Sequence, residues 1–522
     1  MVTFGMCRQF AGRHIGSKYY RRLLMMISWK KSVVCAVAVA AMALFALPVF
    51  AGGKQEAPAA AELKPWEQIE WNKPKSWPER LLADKYILPE GWKQAVEGVK
   101  EFSFYNIGGI ETDIATKMNM MRFEELTGIK INAIPLAPRF TLPKTLSTLV
   151  AKDKAIHGIG MNNPSYNFTP IAVYLQDVDH MWPEEVTALY NENLINYLAW
   201  DGHWYAMPVA AVGHLNFYRK SWFEQAGVEV PTSMLEFAEA VKKVNQWAQE
   251  NLGPDHYGIV FSVPSTELFT RYRELMYAQN KQVIGPDGRL DFYSKEAQNA
   301  FNWLVDMFRQ GFITEDALNF GWMDAANFFG VGKAGAITDA PAMFYGFFQS
   351  QYPEVGQDMG ALTNLKWSED DPDEWNGRSL IGANSIGLPK YIDNNHKTAV
   401  MLWFDYLRSL EGQRNEAIVE GNASFLLHLW ETLDAQFNMV DWNLADAAAK
   451  ELGINPPVRR TKAGPMITGN AIQSEKSLLE VFRPYFPEVQ DKFNEEFANV
   501  ATGKASTEEA LQRVQEIADT FR

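Results

Sequence analysis

The 522-residue sequence predicts an α/β fold, and three observations point to it. First, Glu101-Phe-Ser-Phe-Tyr-Asn106 alternates like a strand and runs into Gly108-Gly109. Met118, Met121 and Phe123 then recur like one helix face, Gly128 sits where a C-terminal cap belongs, and Ile129-Lys-Ile-Asn-Ala-Ile134 reads as a second strand. Strand, helix, strand at this spacing predicts parallel strands joined by a crossover helix. Second, amphipathic helices recur toward the C-terminus. They are Phe237, Val241, Val244 and Ala248 behind a capping box at Ser233 and Glu236; Ala297, Phe301, Leu304, Val305 and Phe308; and Leu511, Val514, Ile517 and Phe521 behind Ser506 and Glu509. Third, 47% hydrophobic and 21% charged residues is the composition of a folded chain, long enough for two to four domains.

Residues 1–51 carry seven basic side chains and no acid. Lys30-Lys31 precede an apolar run, Val33 to Leu47, with the length of a secretory h-region and short for a membrane span. Pro48 ends the run, and Val49 and Ala51 supply small residues at the −3 and −1 positions of a cleavage site. Residues 1–51 are therefore expected to be a signal peptide cleaved after Ala51, with translation starting at Met1, Met25 or Met26. The expected location is periplasmic or extracellular. Gly52-Gly53 stands where a lipid anchor needs cysteine, so no lipid anchor is expected. Cleavage leaves 471 residues with 42 basic and 63 acidic side chains, a net charge of −21. Both cysteines, Cys7 and Cys35, leave with the leader, so an oxidising compartment has no thiol to act on. The acidic balance argues against nucleic-acid binding, which needs clustered Lys and Arg.

Residues 52–98 read as an N-terminal tether and Trp-rich strap. Gly52 to Ala61 is small and Pro-containing, the composition of a flexible linker. Trp66, Trp71, Trp77 and Trp92 among Pro65, Pro74, Pro78 and Pro89 are too aromatic for a linker, and predict a segment packed onto the main body.

Signatures of catalysis fail in turn. Seven histidines follow the leader, none paired at metal-ligand helical spacing, and His-Glu-x-x-His is absent, so no metal is expected. There is no Gly-x-Ser-x-Gly elbow. Gly330-Val-Gly332-Lys-Ala-Gly335 matches a dinucleotide fingerprint by letter, but a helical pattern precedes it and the apolar Ala336-Ile337 follows. Phosphate binding needs the reverse order, with the helix N-terminus facing the pyrophosphate, so a helix-to-strand turn is expected. Asp370-Asp371 lie in a polar, Pro-containing stretch that reads as a solvated loop. No catalytic residue, no cofactor and no enzymatic activity are predicted.

Asp201-Gly-His-Trp-Tyr-Ala-Met-Pro208, then Val209 to Lys220, then Trp222-Phe-Glu-Gln-Ala-Gly-Val-Glu-Val-Pro-Thr232 together resemble the extracellular solute-binding proteins of bacterial ABC importers, the family that includes maltose-binding protein. His203 stands at a family lysine, Arg219 at a family asparagine, and Met234 near a family tryptophan. Phe123 to Ile131, Gly332 to Ala336 and Asn384-Ser-Ile-Gly-Leu388 follow in family order, so the resemblance spans roughly residues 99–520. It implies a two-lobed periplasmic binding protein fold of type II, with ligand held in the cleft between lobes joined by hinge strands. Lobe one would comprise 99–210 and 360–410, and lobe two 211–359 and 411–522. The hinge would lie at Val209, Ala210 and Ala211.

The same resemblance implies a ligand site from both lobes. Tyr105, Asn106, Met161, Asn162, Asn163, Tyr166, Asn384 and Ser385 would come from lobe one. Ser265, Thr266, Glu267, Phe269, Arg271, Asp339, Met343 and Phe344 would come from lobe two, Asp339 to Phe344 matching a family aromatic platform. Val212 stands where maltose-binding protein has a ligand-contacting glutamate. The expected function is a monomeric receptor for a sugar or oligosaccharide, delivering it to the membrane permease of an ABC importer. A peptide, polyamine or phosphodiester solute, with Arg271 pairing an anionic group, and a secreted carbohydrate-active enzyme are the alternatives.

Overall fold

Largely buried strands and apolar stripes on the helices build two α/β lobes. The computed structural model describes residues 64–107, 113–136, 138–162, 171–264, 266–285, 288–380, 382–458 and 486–521. The signal peptide and tether expected for 1–61 lie outside them.

In lobe one, β1 (Glu101–Ile107) pairs in parallel with β2 (Lys130–Leu136), in register from Glu101 opposite Lys130 to Ile107 opposite Leu136. Helix α1 (Ile114–Thr127) is the crossover. Asp113 caps its start, accepting from the Thr116 amide, and Gly128 ends it at φ +74°, a left-handed conformation that glycine adopts without steric cost. Helix α2 (Pro138–Ala151) leads to β3 (Ile159–Asn162). Further strands are β4 (Leu175–Gln176) and β5 (Ala206–Val212).

The chain then enters lobe two. Its sheet is β6 (His214–Arg219) between β7 (Ala336–Pro341) and β8 (Met359–Leu362), antiparallel throughout. Around it pack α3 (Met234–Asn251), α4 (Thr266–Ala278), α5 (Lys295–Arg309), α6 (Trp322–Gly330) and α7 (Phe344–Gln351). The α3 capping box half forms: Ser233 accepts the Glu236 amide, while the Glu236 carboxylate turns to the Thr232 amide and hydroxyl.

β9 (Gly382–Pro389) returns to lobe one, antiparallel between β3 and β5 and reaching β4 at its far end. Behind it come α8 (Asn394–Leu407), a π-helical stretch at Asn415–Glu420, α9 (Leu427–Met439) and α10 (Trp442–Glu451). The last helices are α11 (Phe486–Ala501) and α12 (Thr507–Asp519), the latter with its reciprocal capping box at Ser506 and Glu509.

This packing redraws the lobe boundaries. Residues 360–380, expected in lobe one, stay in lobe two: β8 hydrogen-bonds along β6, and Leu365 joins the core of α3, α4 and α5. Residues 411–458, expected in lobe two, stay in lobe one. Ala417, Ala423, Phe425, Leu426 and Leu429 enter its core, and α10 packs against α1 through Ala445, Ala448, Ala449, Ile114 and Met118. In each case the apolar face decides, since it must be covered by the nearest exposed core. Residues 486–521 do pack on lobe two, through Val489, Phe493, Phe497, Leu511 and Val514.

The strap packs on lobe one. Trp66, Ile69, Trp77, Leu81, Tyr86, Ala95 and Val96 are buried in its core, and Trp71 stacks on Trp77 at 4.7 Å and 11°. Beneath them Asp405 on α8 is fully buried. It accepts from Trp77 Nε1 at 2.6 Å, the Tyr86 hydroxyl at 2.7 Å, Arg408 at 2.8 Å and two Arg80 nitrogens at 3.3 Å. Burial by itself would raise this carboxyl, but Arg80 and Arg408 hold it below its ordinary value.

Glycines of the fingerprint-like stretch have packing roles. A Cβ on Gly330 would sit 2.4 Å from the Tyr352 ring, one on Gly335 would sit 2.4 Å from Val244, and Gly332 turns at φ +78°. The stretch joins α6 to β7, a helix-to-strand turn.

Candidate functional site

The two sheets meet end to end at Gly213. β5 finishes with Val212 opposite Gly382 in lobe one, and β6 begins at His214 in lobe two. The Ala342 amide, just past β7, donates to the Gly213 carbonyl at 2.8 Å. The second described passage, 363–380, leads toward Gly382, the residue opposite Val212. Val209, Ala210 and Ala211, expected as the hinge, instead lie inside β5. They are buried, Ala210 and Ala211 face Asn384 and Ala383, and Ala211 exchanges both backbone bonds with Ala423.

On the lobe-one side, Asn384 sits between Asn162 of β3 and Ala210 of β5, half-buried at the sheet end. Asn106 is near the end of β1 and largely buried. Tyr105, Met161 and Ser385 turn inward: Tyr105 shares a hydrogen bond with Thr148 at 2.9 Å, and the Ser385 hydroxyl donates to the Met161 carbonyl at 3.4 Å. Asn163 and Tyr166 lie outside the described residues.

On the lobe-two side, Thr266 and Glu267 open α4 and Asp339 lies in β7; Ser265 is outside the described residues. Phe269 is core, stacked on Tyr272 at 6.0 Å and edge-on to Phe493 at 5.3 Å. Arg271 is also inside, 3% exposed. Its nitrogens donate to the Ser262 and Thr338 carbonyls at 3.2 and 2.6 Å, and its guanidinium lies 4.8 Å from the Phe261 ring centre. Met343 is half-buried beside Phe344 at the start of α7.

Two tryptophans join this region without having been singled out in the sequence. Trp322 opens α6 half-buried and stacks on Phe344 at 5.2 Å and 18°. Trp430 of α9 belongs to lobe one, donates Nε1 to the Ser424 carbonyl at 3.1 Å, and packs against the core of lobe one and the aromatic cluster of lobe two. Trp322, Met343, Phe344 and Trp430 thus border one aromatic cluster. A tryptophan in the first turn of a helix is the only sequence trace of this, and it does not distinguish such a position from a buried one.

Below the lobe-one side, the π-helical stretch holds Glu416 inside. Glu416 accepts from Asn119 at 3.1 Å and Asn422 at 3.0 Å. Burial, reinforced by the Asp113 charge, pushes its carboxyl well above the ordinary value. Among the described residues no group of three or more His, Cys, Asp or Glu side chains is placed to hold a metal ion.

Two lobes joined by two described passages make a two-lobed α/β fold of the periplasmic-binding-protein type. Residues 167–414 match the family model of bacterial extracellular solute-binding proteins. Solved structures share the fold. A maltose-bound MalE3 of T. maritima is similar with a TM-score of 0.65 at 16% identity, over 81% of this chain and 100% of that one. An ABC transporter solute-binding protein of Agrobacterium radiobacter in complex with ribitol gives 0.63 at 20%, over 82% and 100%. The GacH receptor of Streptomyces glaucescens, solved unliganded and with acarbose, gives 0.64 at 14%, over 82% and 100%. A protein of Brucella abortus (strain 2308), named only as a binding protein, is 23% identical over 167 residues. That match covers 32% of this chain and 39% of the relative's length. Among the described residues no helix is long and apolar enough to cross a membrane.

Proposed function

We propose that this protein is the extracytoplasmic receptor of an ABC importer, that its solute is a sugar or oligosaccharide, and that closure of the lobes delivers it to the membrane permease. The observation carrying this is the set Trp322, Phe344, Met343 and Trp430, in which Trp430 of lobe one packs against the aromatic cluster of lobe two. A sugar ring offers C–H faces to aromatic rings and hydroxyls to amides, so an aromatic wall with polar strand ends suits it. The solved relatives with maltose, ribitol and acarbose support the same class. A closed form is favoured only when ligand touches both lobes, and Trp430 and Trp322 come from opposite lobes. The anionic-solute alternative loses its residue, since Arg271 is spent on two backbone carbonyls inside lobe two. Calorimetry against a panel of mono- and oligosaccharides, run beside a turnover assay, tests the reading. Saturable binding without product is expected; steady product formation refutes it. Mass spectrometry of ligand released from the purified protein would identify the solute.

A further inference from the structure

α4 carries candidate ligand residues at its start and a buried polar network one and two turns later. Arg271 and Glu274 are 3% and 4% exposed and border a cavity of about 10 Å³ with His214, Asn216, Thr338 and Asn364. This network holds the lobe-two ends of both described passages. Glu274 Oε1 accepts the Leu380 amide at 2.6 Å and the Ser379 hydroxyl at 2.9 Å. The Glu274 carbonyl accepts Asn364 Nδ2 at 2.9 Å, and the same nitrogen reaches the Arg378 carbonyl at 2.6 Å. Asn216, two residues into β6, donates to the Thr363 carbonyl at 3.1 Å and accepts the Thr338 hydroxyl, while the Thr338 carbonyl takes Arg271.

We infer that Glu274 is a positioning residue for domain closure, fixing the second passage to α4 as far as Leu380 and leaving Gly213 and Gly382 as the pivots. The inference rests on the receptor reading for its purpose, and on this network alone for its mechanics. The passages are pinned on the lobe-two side by Glu274 and by the Ala342-to-Gly213 bond, and on the lobe-one side by the β5–β9 ladder, which ends at the Val212–Gly382 pair. Glycine stands at the boundary of each passage, Gly213 directly after Val212 and Gly382 as the last pair of the ladder, and glycine carries the widest range of backbone torsions. A ligand pulling on the start of α4 or on β7 therefore moves the end of the passage as one body with lobe two, instead of being absorbed by slack in residues 363–380. Hinges of a few element-terminal residues behave this way.

The test uses interlobe distance. In protein made from the full precursor with Cys7→Ser and Cys35→Ser, nitroxides are placed at Glu124→Cys on lobe one and Gln249→Cys on lobe two, both exposed. Glu274→Met should widen the distance distribution about twofold and speed hydrogen exchange of the Leu380 amide roughly tenfold, the loss of a hydrogen bond to a charged group. Glu274→Gln keeps an acceptor oxygen and should stay near the parent, and Ser379→Ala should fall between. Phe301→Leu weakens the lobe-two core without touching a passage and should leave the distribution unchanged. A parental distribution and parental Leu380 exchange in Glu274→Met would overturn the inference, as would equal widening in Phe301→Leu. A sugar panel without binding would remove the carbohydrate reading and leave this outcome standing.

Discussion

Replacing Asp405 with alanine asks what holds the strap to lobe one. The carboxylate takes five hydrogen bonds from Trp77, Tyr86, Arg80 and Arg408, and both arginines are fully buried. Breaking a buried ion pair by removing one partner costs about 3–5 kcal/mol, because the surviving charge is left in a poor solvent. Each buried donor left without an acceptor, here the Trp77 and Tyr86 groups, costs about 1–3 kcal/mol more. These terms share one site and do not add in full, so about 5 kcal/mol is the expected loss. That is the lower end of the total stability of an ordinary domain, about 5–15 kcal/mol. Urea unfolding followed by tryptophan fluorescence measures the loss, and limited proteolysis with mass mapping of residues 64–98 shows whether the strap has detached. A loss below about 1 kcal/mol, with the strap still protected, would refute the reasoning. Asp405→Asn keeps an acceptor but no charge and should fall between. The carboxyl is depressed below its ordinary 3.8, so its contribution is present above about pH 4 and lost as pH falls through the lower folded-state value.

Other outcomes follow from the same physics. Trp322→Ala and Trp430→Ala should each weaken binding of the sugar found by calorimetry roughly tenfold, with melting temperature reduced far less than by a core truncation. Glu496, buried against Arg513 at 2.6 Å and Lys492 at 2.8 Å, is drawn from 4.5 to about 2 against the opposing effect of burial. Its contribution, on the order of 3 kcal/mol, is present above pH 4.5 and lost as pH falls toward 2, and Glu496→Gln should flatten that part of a stability-versus-pH curve. Gly335→Ala would drive a methyl to 2.4 Å from Val244 and 3.1 Å from Trp222; it should cost about 1–3 kcal/mol in thermal unfolding and leave sugar affinity unchanged.

The local elements were legible because their causes are local. Asp113 and Gly128 bound α1, Ser506 and Glu509 start α12, and the parallel β1–β2 pair follows from the strand–helix–strand order. The strap's burial was legible too, since four tryptophans in a short stretch have few stable places outside a core. The role of Arg271 was not: an arginine near a strand end reads the same whether it faces a ligand or two carbonyls. Nor was the distinction between Phe269, sealed in the lobe-two core, and Phe344, stacked under Trp322. The sequence by itself determined the α/β class, the helix caps and the inverted order of the glycine-rich turn, all set by neighbours within a few residues. Only the tertiary structure decided that 360–380 stays with lobe two, that 411–458 stays with lobe one, and that the passage between lobes falls at Gly213. Those outcomes depend on which apolar face finds which core across hundreds of residues, and periodicity along the chain carries no record of its distant partner.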